Sequence, residues 1–391
     1  MQNAYIVAYS RSAFTKAKKG GFRFTRSDDL AVYLIKEMLK TYPTIDPKMI
    51  DDVIVGCANP EGEQGLQIGR QISMRALGKE VAGMTVNRYC ASGLESIAIA
   101  TAKIRSGMGH CYLAGGVENM SMIPMEGYKF APSYELAKEH PDYIVGMGLT
   151  AEAVAKKFNI QRDAQDQFAL RSHQLAAQAQ ARGFYNREIT KVPITEVLVH
   201  NNTRIEKKLE ITTDDGIRKD TNLDVLSALK PAFALNGSVT AGNSSQTTDG
   251  AAFTLVMSES MLKQTGLKPL GRLVSCSVAG VEPIHMGIGP CAAMPKALHQ
   301  ASMHLQAMQL IELNEAFAAQ SLAVIQESGL NPELVNVNGG AIALGHPLGC
   351  SGTRLTMTLL NELESRKQSF GIVTACVGGG QGIAAVVECI Y

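Results

Sequence analysis

Four residues with reactive side chains stand at the ends of strand-like runs or in the glycine-rich loops after them: Cys90, Asn314, His346 and Cys376. Together they supply a thiol nucleophile, a second thiol able to carry a proton, an imidazole base and an amide donor. Gly378, in the glycine turn after Cys376, adds a backbone N–H group. These groups suffice for acyl transfer through a thioester with a carbanion partner.

The most informative stretch runs from Asn87 to Glu95, where a strand-like run stops and a helix begins. Ser92 with Glu95 three residues later forms a capping-box pattern, which predicts a helix start near Ser92. Cys90 then lies at the first turn, where the free N–H groups and the helix dipole favour a thiolate, and where its own N–H can bind an oxyanion. A buried cysteine packed beneath a helix would explain Cys90 taken alone equally well.

The other three positions also have ordinary explanations when each is taken alone. A histidine in a loop is commonly a solvated side chain, although His346 is the only ionisable group between Asn336 and Gly349 and precedes a helix. Asn314 could instead cap the helix that follows it. The thiol of Cys376 could be simple packing. Only the set as a whole favours chemistry.

The elements that must position these residues alternate between strand-like and helical patterns. From residue 5 the chain predicts a strand, a helix from Asp28 or Asp29, a strand at 53–56 and a helix near 66–76. The strand and helix around Cys90 and a strand at 112–114 follow. Such alternation predicts a parallel sheet covered by helices, with ligands at the carboxyl ends of its strands.

A middle region, residues 119–236, lacks this rhythm and is predicted to be a loop or lid domain with helices near 149–158 and 163–182. Strands at 238–240 and 252–256 should rejoin the first sheet. From Gly271 the opening order of elements begins again, with strands at 273–275, 310–313, 335–337, 372–374 and 384–387. Two similar halves are therefore predicted: residues 1–118 with 237–262, and residues 263–391.

Composition excludes several classes of protein. The chain has 391 residues, 46% of them hydrophobic and 19% charged, and its net charge of +1 argues against nucleic-acid binding. No apolar run reaches membrane-spanning length, and the first residues enter a strand without a signal-peptide pattern. The eight cysteines form no C-x-x-C pair, which fits reduced thiols rather than a metal site or disulfides. A cytoplasmic location is expected, with no metal.

Four segments together give the chain a recognisable resemblance: residues 87–96, 314–318, 345–347 and 376–382. In sequence, order and spacing they resemble the thiolase family of acetyl-CoA C-acyltransferases, and most of all the 3-ketoacyl-CoA thiolases of fatty-acid degradation. The resemblance implies the five-layered αβαβα fold with a loop domain that binds coenzyme A. It also implies cleavage of 3-ketoacyl-CoA by CoA to acetyl-CoA and a shortened acyl-CoA, without a tightly bound cofactor.

The resemblance also implies a role for each residue of the set. Cys90 matches the acylated nucleophile, His346 the base that activates it and Cys376 the thiol that protonates the acetyl-CoA enolate. Asn314 matches the residue that holds a water which, with His346, forms one oxyanion hole. The N–H groups of Cys90 and Gly378 match the second hole. Residues that match the CoA and acyl-chain contacts of the family are Met147, Arg218, Ala241, Ser245, Met286 and Phe317.

Two segments depart from the family pattern. The short-chain biosynthetic relatives have His-Met-Gly where this chain has Gly146-Met147-Gly148, which favours a degradative enzyme with a roomier acyl pocket. The usual Ala-Arg-Thr-Pro after the first strand is replaced by residues 9–13, Tyr-Ser-Arg-Ser-Ala, which leaves a supporting turn uncertain.

Three other functions remain open. An acetyl-CoA acetyltransferase specific for acetoacetyl-CoA would share all these motifs. A carrier-protein ketosynthase would have histidines where this chain has Asn314 and Cys376, and a non-catalytic CoA- or lipid-binding protein would not need the intact set. The resemblance further implies a homodimer or homotetramer and, as a possible partner, a hydratase/3-hydroxyacyl-CoA dehydrogenase subunit. It does not define chain length or the direction of the reaction.

Overall fold

The structure, a computed structural model, describes residues 2–201 and 203–391, which form twelve β-strands and twelve α-helices. The strands are β1 (Ala4–Arg11), β2 (Thr15–Lys16), β3 (Asp52–Gly56), β4 (Ala82–Val86), β5 (Cys111–Asn119), β6 (Val192–His200), β7 (Thr203–Ile211), β8 (Thr248–Ser258), β9 (Gly271–Gly280), β10 (Leu310–Leu313), β11 (Phe370–Val377) and β12 (Gln381–Cys389). The helices are α1 (Ser27–Thr41), α2 (Ile68–Ala76), α3 (Ser92–Arg105), α4 (Tyr134–Glu139), α5 (Met147–Lys157), α6 (Arg162–Ala181), α7 (Leu223–Ser227), α8 (Glu259–Thr265), α9 (Gly289–Gln300), α10 (Ala318–Ser328), α11 (Ala341–Leu344) and α12 (Leu348–Arg366).

The strand order repeats in the two halves, as the duplicated pattern predicts. The first half has the order β1-β8-β5-β3-β4 and the second β9-β12-β11-β10, with Val335 bridging to Ile311 where β4 pairs with β3. Corresponding pairs also run in the same relative direction: β8–β5 and β12–β11 are antiparallel, whereas β5–β3 and β11–β10 are parallel. The predicted parallel sheet is confirmed for β3, β4 and β5, which pair in parallel. The complete sheet is mixed, because β8 and β12, which return to the two halves, pair in the antiparallel sense.

One residue pair, Ile6 with Gly271, links an edge strand of the first half-sheet to an edge strand of the second. Helices cover both faces of the half-sheets in five layers. Helices α1 and α2 pack on the outer face of the first half-sheet, and α9 and α10 on the outer face of the second. Between the sheets lie α3 and α12, which pack against strands of both halves. The three central residues of β3 are apolar because both faces of the strand are covered: Val53 and Val55 face the outer layer, and Ile54 faces the middle one.

Helix α12 is buried on all sides. Every residue from Leu348 to Leu363 is buried, including three threonines, an arginine and an asparagine. Its polar side chains bond to nearby groups, such as Arg354 to Glu312 at 3.1 Å and Thr356 to the carbonyl of Gly352 at 2.9 Å. A helix that is enclosed in this way is among the least mobile parts of a fold.

The middle region, residues 119–236, contains α4 to α7 and also a long hairpin of β6 and β7 that the sequence analysis did not predict. Most residues of this hairpin are exposed, so it lacks the buried apolar face by which strands are usually recognised. The predicted strand at 238–240 is wrong as well. Thr240 makes only an isolated bridge to Pro231, because Glu152 accepts the N–H groups of Ser238 and Val239.

Residues 9–13, which depart from the usual family motif, include Arg11 at the end of β1. Arg11 makes the main side-chain contacts of this segment. It is fully buried, donates to Glu188 Oε2 at 2.9 Å and bonds both carboxylate oxygens of Asp214 at 2.8 and 3.0 Å. Its guanidinium also stacks between Phe14 and Tyr185. The first strand is thereby tied to the middle region. Within residues 2–201 and 203–391, no helix combines the length and apolar character needed to cross a membrane.

Candidate active site

A cavity of about 510 Å³ opens where β4 and β11 end and where α3, α5 and α12 begin. The predicted site residues that line it are Cys90, Met147, Ser245, Met286, Phe317, His346 and Gly378. Asn314 and Cys376 are fully buried directly behind this surface. Arg218 and Ala241 are exposed and lie outside the lining. The fold thus brings together residues from positions 90 to 378 of the chain.

Cys90 lies in a short 3₁₀ turn between β4 and α3, preceded by Tyr89 in the left-handed region at φ 43°. The helix begins at Ser92 as predicted, but the predicted capping box is wrong. The Ser92 hydroxyl accepts a hydrogen bond from the N–H of Arg88 and donates to the carbonyl of Tyr89. Glu95 pairs instead with the Arg88 guanidinium at 2.9 Å. These contacts fold the chain back over the helix start and set the direction of the cysteine.

The thiol of Cys90 is protonated in the resting site. Burial raises its pKa to about 11, although hydrogen bonds from the backbone N–H groups of Gly378 and of Cys90 itself act in the opposite direction. The sequence pattern predicted that the helix start favours a thiolate. In the structure, burial outweighs this effect, and the helix start alone does not produce a thiolate. A base must remove the proton before the sulfur can attack.

His346 lines the same cavity as Cys90, and both nitrogens of its ring lie at hydrogen-bonding distance from a neighbour. Nε2 lies 3.2 Å from Asn314 Nδ2, and Nδ1 lies 2.6 Å from the hydroxyl of Ser351. Burial, followed by the charge of Arg354, lowers the pKa of His346 to about 3, so the imidazole is neutral and free to accept a proton. Gly345, at φ 101°, makes the turn that places the ring here.

Cys376 is the last residue but one of β11 and lies close enough to Cys90 for the two thiols to influence each other's ionisation. Burial raises the pKa of its thiol far above the usual value, and the nearby Cys90 raises it further. A protonated thiol in this position is a proton donor rather than a nucleophile. It packs among apolar side chains that include Met286 and Phe317.

Asn314 follows β10 and does not cap the next helix, since α10 begins at Ala318 after Phe317. The alternative of an N-cap is therefore wrong. Its N–H donates to Thr374 O at 2.9 Å, which fixes the backbone beside β11, and its Nδ2 points to the histidine. Its Oδ1 is buried with no hydrogen-bond partner among the described residues.

Glu118, which the sequence analysis did not single out, holds two loops of the site together. It is buried at the end of β5 and accepts hydrogen bonds from the N–H groups of Ala58 at 2.8 Å and Gly349 at 2.9 Å. Ala58 packs against Cys90, and Gly349 is three residues after His346. A charged residue inside an otherwise apolar strand is the sequence signal that could have revealed it. No group of metal-binding side chains occurs in the part of the chain that the structure describes.

Two family models match the chain along nearly its whole length. Residues 4–260 match the model described as "Thiolase, N-terminal domain", and residues 267–389 match "Thiolase, C-terminal domain". Their border falls between β8 and β9, where the strand order begins to repeat.

Individual relatives agree with this match. The chain is 49% identical to a "3-ketoacyl-CoA thiolase" of Bacillus subtilis over 390 residues, which are 99% of this chain and 100% of the relative. It is 44% identical to a protein of the same name from Serratia proteamaculans, over 99% of this chain and 100% of the relative. A crystal structure of Bacillus anthracis acetyl-CoA acetyltransferase superimposes with a TM-score of 0.89 at 38% identity, covering 100% of this chain and 99% of the other.

Proposed function

The chain belongs to the thiolase family of acyltransferases, and we propose that it cleaves 3-ketoacyl-CoA with CoA to acetyl-CoA and an acyl-CoA two carbons shorter. The observation that carries this proposal is the grouping of Cys90, His346 and Cys376 around one cavity that also presents the N–H of Gly378. Two protonated thiols and a neutral imidazole are the protonation states with which a thiolysis cycle begins.

In the first half of the reaction, the proton of the Cys90 thiol passes to Nε2 of His346. The sulfur adds to the keto carbon of the substrate, and the N–H groups of Cys90 and Gly378 stabilise the resulting oxyanion. The bond between the α- and β-carbons then breaks. Its electron pair stays on the acetyl-CoA fragment as an enolate, whose oxygen is bound by His346 and by a water held on Asn314. Cys376 protonates the enolate carbon and releases acetyl-CoA.

In the second half, the thiol of CoA replaces the sulfur of Cys90. Cys376, now a thiolate, takes the proton of the incoming CoA thiol, and the CoA sulfur attacks the carbonyl of the acyl-enzyme. The same two N–H groups bind this oxyanion. When it collapses, the bond to Cys90 breaks, the acyl-CoA leaves and the Cys90 sulfur regains the proton held by His346. All groups return to their starting protonation states, so the enzyme is ready for the next turnover.

CoA binding would use the entrance of this cavity. Ser245, Met147, Met286 and Phe317 contact the pantetheine and acyl parts, while Ala241 and the exposed Arg218 flank the nucleotide end. Exposure of Arg218 and Ala241 fits contacts to a part of the ligand that remains near the surface. No tightly bound cofactor is needed for this chemistry.

Cys90 is expected to be the first of the eight thiols to react with iodoacetamide at neutral pH, with acetyl-CoA slowing the reaction. It lines the cavity and has a base beside it, whereas most of the other cysteines are buried in apolar layers. Half-buried Cys276 and Cys291 serve as internal controls. Peptide mapping after brief labelling measures the order. Labelling of another cysteine while Cys90 stays unmodified would contradict its role as nucleophile.

The acyl specificity separates the degradative function from that of an acetoacetyl-CoA-specific acetyl-CoA acetyltransferase. A Cβ atom added to Gly146 would have no other atom within 4 Å, so there is free space for a side chain or substrate at this position. The lining of the active-site cavity also includes the apolar side chains of Phe130, Leu136 and Ile144. Both features favour a substrate with an acyl chain longer than acetoacetyl.

We expect a 3-ketoacyl-CoA two carbons longer than acetoacetyl-CoA to have a kcat/KM up to roughly tenfold higher, because each buried methylene contributes about 0.8 kcal/mol. Steady-state thiolysis of a series from four carbons upward measures this. Gly146→His is the matched variant, since φ at Gly146 is −61° and admits a side chain. It should lower kcat/KM for the longer substrates more than for acetoacetyl-CoA. A steady fall from four carbons upward in the unsubstituted protein would instead assign the acetoacetyl-specific function.

We also propose that the enzyme acts in fatty-acid β-oxidation in the cytoplasm, as a homodimer or homotetramer. β4 is an edge strand immediately before the Cys90 turn, and half-buried Met84 and Val86 lie along it. A second copy pairing there would cover both the strand and the neighbouring Tyr89, which is exposed. Light scattering during size-exclusion chromatography tests this, and adding a hydratase/3-hydroxyacyl-CoA dehydrogenase subunit tests for a larger complex. A monomer at all concentrations would exclude the assembly.

A further inference from the structure

The Nδ1 atom of the His346 ring has one hydrogen-bond partner among the described residues, the hydroxyl of Ser351. Ser351 Oγ lies 2.6 Å from Nδ1 of His346 and 2.8 Å from the carbonyl oxygen of Pro347. Ser351 is buried, in the first turn of α12. With both neighbours at hydrogen-bonding distance and solvent excluded, the positions of the hydrogens follow from the numbers of donors and acceptors.

A serine hydroxyl has one hydrogen to donate, and the carbonyl of Pro347 can only accept. At 2.8 Å the two oxygens need a hydrogen between them, so the hydroxyl donates to Pro347. Its remaining lone pair then faces Nδ1, and the 2.6 Å contact requires that Nδ1 carry the hydrogen. A neutral imidazole protonated at Nδ1 has its free lone pair on Nε2.

The other end of the ring fits this tautomer. Asn314 Nδ2, a donor, lies 3.2 Å from Nε2, which must therefore be the accepting nitrogen. In the resting site the single Nε2 lone pair accepts this long contact from Asn314, and in the reaction it takes the proton of Cys90, which lines the same cavity as His346. Once Nε2 takes the proton, the ring becomes a cation and the Nδ1–H bond to Ser351 becomes charge-assisted and stronger. Arg354, whose charge acts on the same ring, opposes that cation, while its guanidinium is paired with Glu312.

We infer that Ser351 is a positioning residue that fixes His346 as the Nδ1–H tautomer and so keeps Nε2 available to accept the proton of Cys90. The inference rests on the proposed thiolase function. The helix that carries Ser351 is enclosed on all sides, so the hydroxyl has little freedom to move away from the ring. Without it, the buried Nδ1–H has no acceptor, and the tautomer with the proton on Nε2, which cannot act as the base, becomes competitive.

Ser351→Ala tests this inference against Thr356→Val. Thr356 is as deeply buried in the same helix, and its hydroxyl donates to the carbonyl four residues earlier, at 2.9 Å, as Ser351 does. Both variants lose one such hydrogen bond, but only Ser351 contacts His346. We expect Ser351→Ala to lower kcat for thiolysis by about 10- to 100-fold, by analogy with groups that orient metal-binding histidines through the second ring nitrogen, with KM near its original value. Thr356→Val should keep both constants.

A second readout does not depend on the substrate. The rate of Cys90 alkylation by iodoacetamide at neutral pH should fall in Ser351→Ala and stay unchanged in Thr356→Val, with thermal denaturation confirming that both variants are folded. Equal kcat and equal alkylation rates in the two variants would overturn the positioning role. Absence of thiolysis in the unsubstituted protein would refute the proposed function instead, and the alkylation rates would still decide the role of Ser351.

Discussion

Cys90→Ala is expected to abolish acyl-enzyme formation, whereas Cys376→Ala should still be acylated from acetyl-CoA while losing most turnover. Only the sulfur of Cys90 is presented to the cavity, with the N–H groups of Cys90 and Gly378 pointing at it. Cys376 is enclosed behind it and remains protonated. One sulfur thus carries the acyl group, and the other carries a proton.

The two variants should therefore differ in kind. Removing the nucleophile should lower turnover by roughly 10³-fold or more, because no other side chain at the site can form the thioester. Removing a general acid costs about 10²- to 10⁴-fold in turnover, but leaves the attack of Cys90 on a thioester possible. Intact-protein mass spectrometry after mixing with acetyl-CoA detects the acetyl group directly, and steady-state thiolysis gives the turnover.

Cys111→Ala provides the matched control, since Cys111 is a fully buried strand thiol at the far end of β5. It should be acylated and turn over substrate as the unsubstituted protein does. If Cys376→Ala lost acylation as completely as Cys90→Ala, the division of labour between the two thiols would be refuted.

Arg11→Ala is expected to cost about 3–5 kcal/mol in the free energy of unfolding, the usual cost of breaking a buried ion pair by removing one partner. The substitution leaves Glu188 and Asp214 buried without their cation, since both side chains are fully enclosed. Asp214 keeps only a neutral partner, the N–H of Phe14 at 2.7 Å. Denaturation by urea, followed by circular dichroism, measures the change.

Arg204→Ala is the control for loss of an arginine. Arg204 pairs with Glu206 on the exposed hairpin, where both side chains are at least half exposed. Such pairs contribute about 0–1 kcal/mol, so stability should barely change. Similar losses in the two variants would mean that the Arg11 network does not act as a buried ion pair.

The sequence predicted the grouping of Cys90, His346 and Cys376 because each lies at or after a strand end of one of two similar halves, and ligands bind at the carboxyl ends of such strands. It also predicted the repeated strand order. The prediction of a capping box was wrong for a local reason. Arg88, four residues before Ser92, forms an ion pair with Glu95, so the Glu95 carboxylate does not cap the helix. The protonation state of the Cys90 thiol was not predicted because burial, which raises the pKa of this thiol, cannot be read from a short run of residues.

Ser351 illustrates the remaining limit of local patterns. It follows His346 by five residues, a spacing with no meaning until a turn and a helix place the two side chains together. The same holds for Glu118, whose partners Ala58 and Gly349 are 60 and 231 residues away in sequence. Residues that orient a site are chosen by the tertiary fold, whereas those that react with substrate stand in short motifs.

The enclosure of α12 makes the two halves dependent on each other for folding. Residues Leu348–Leu363 belong to the second half, yet the helix is covered on one side by α3 and by strands of the first. A chain cut at Gly266, between the family domains, would leave two fragments, each with a wide apolar face open to water. Each alone should aggregate, and a folded enzyme should form only when the fragments are refolded together. Although the sequence is built as a repeat, its two halves are expected to fold as one cooperative unit.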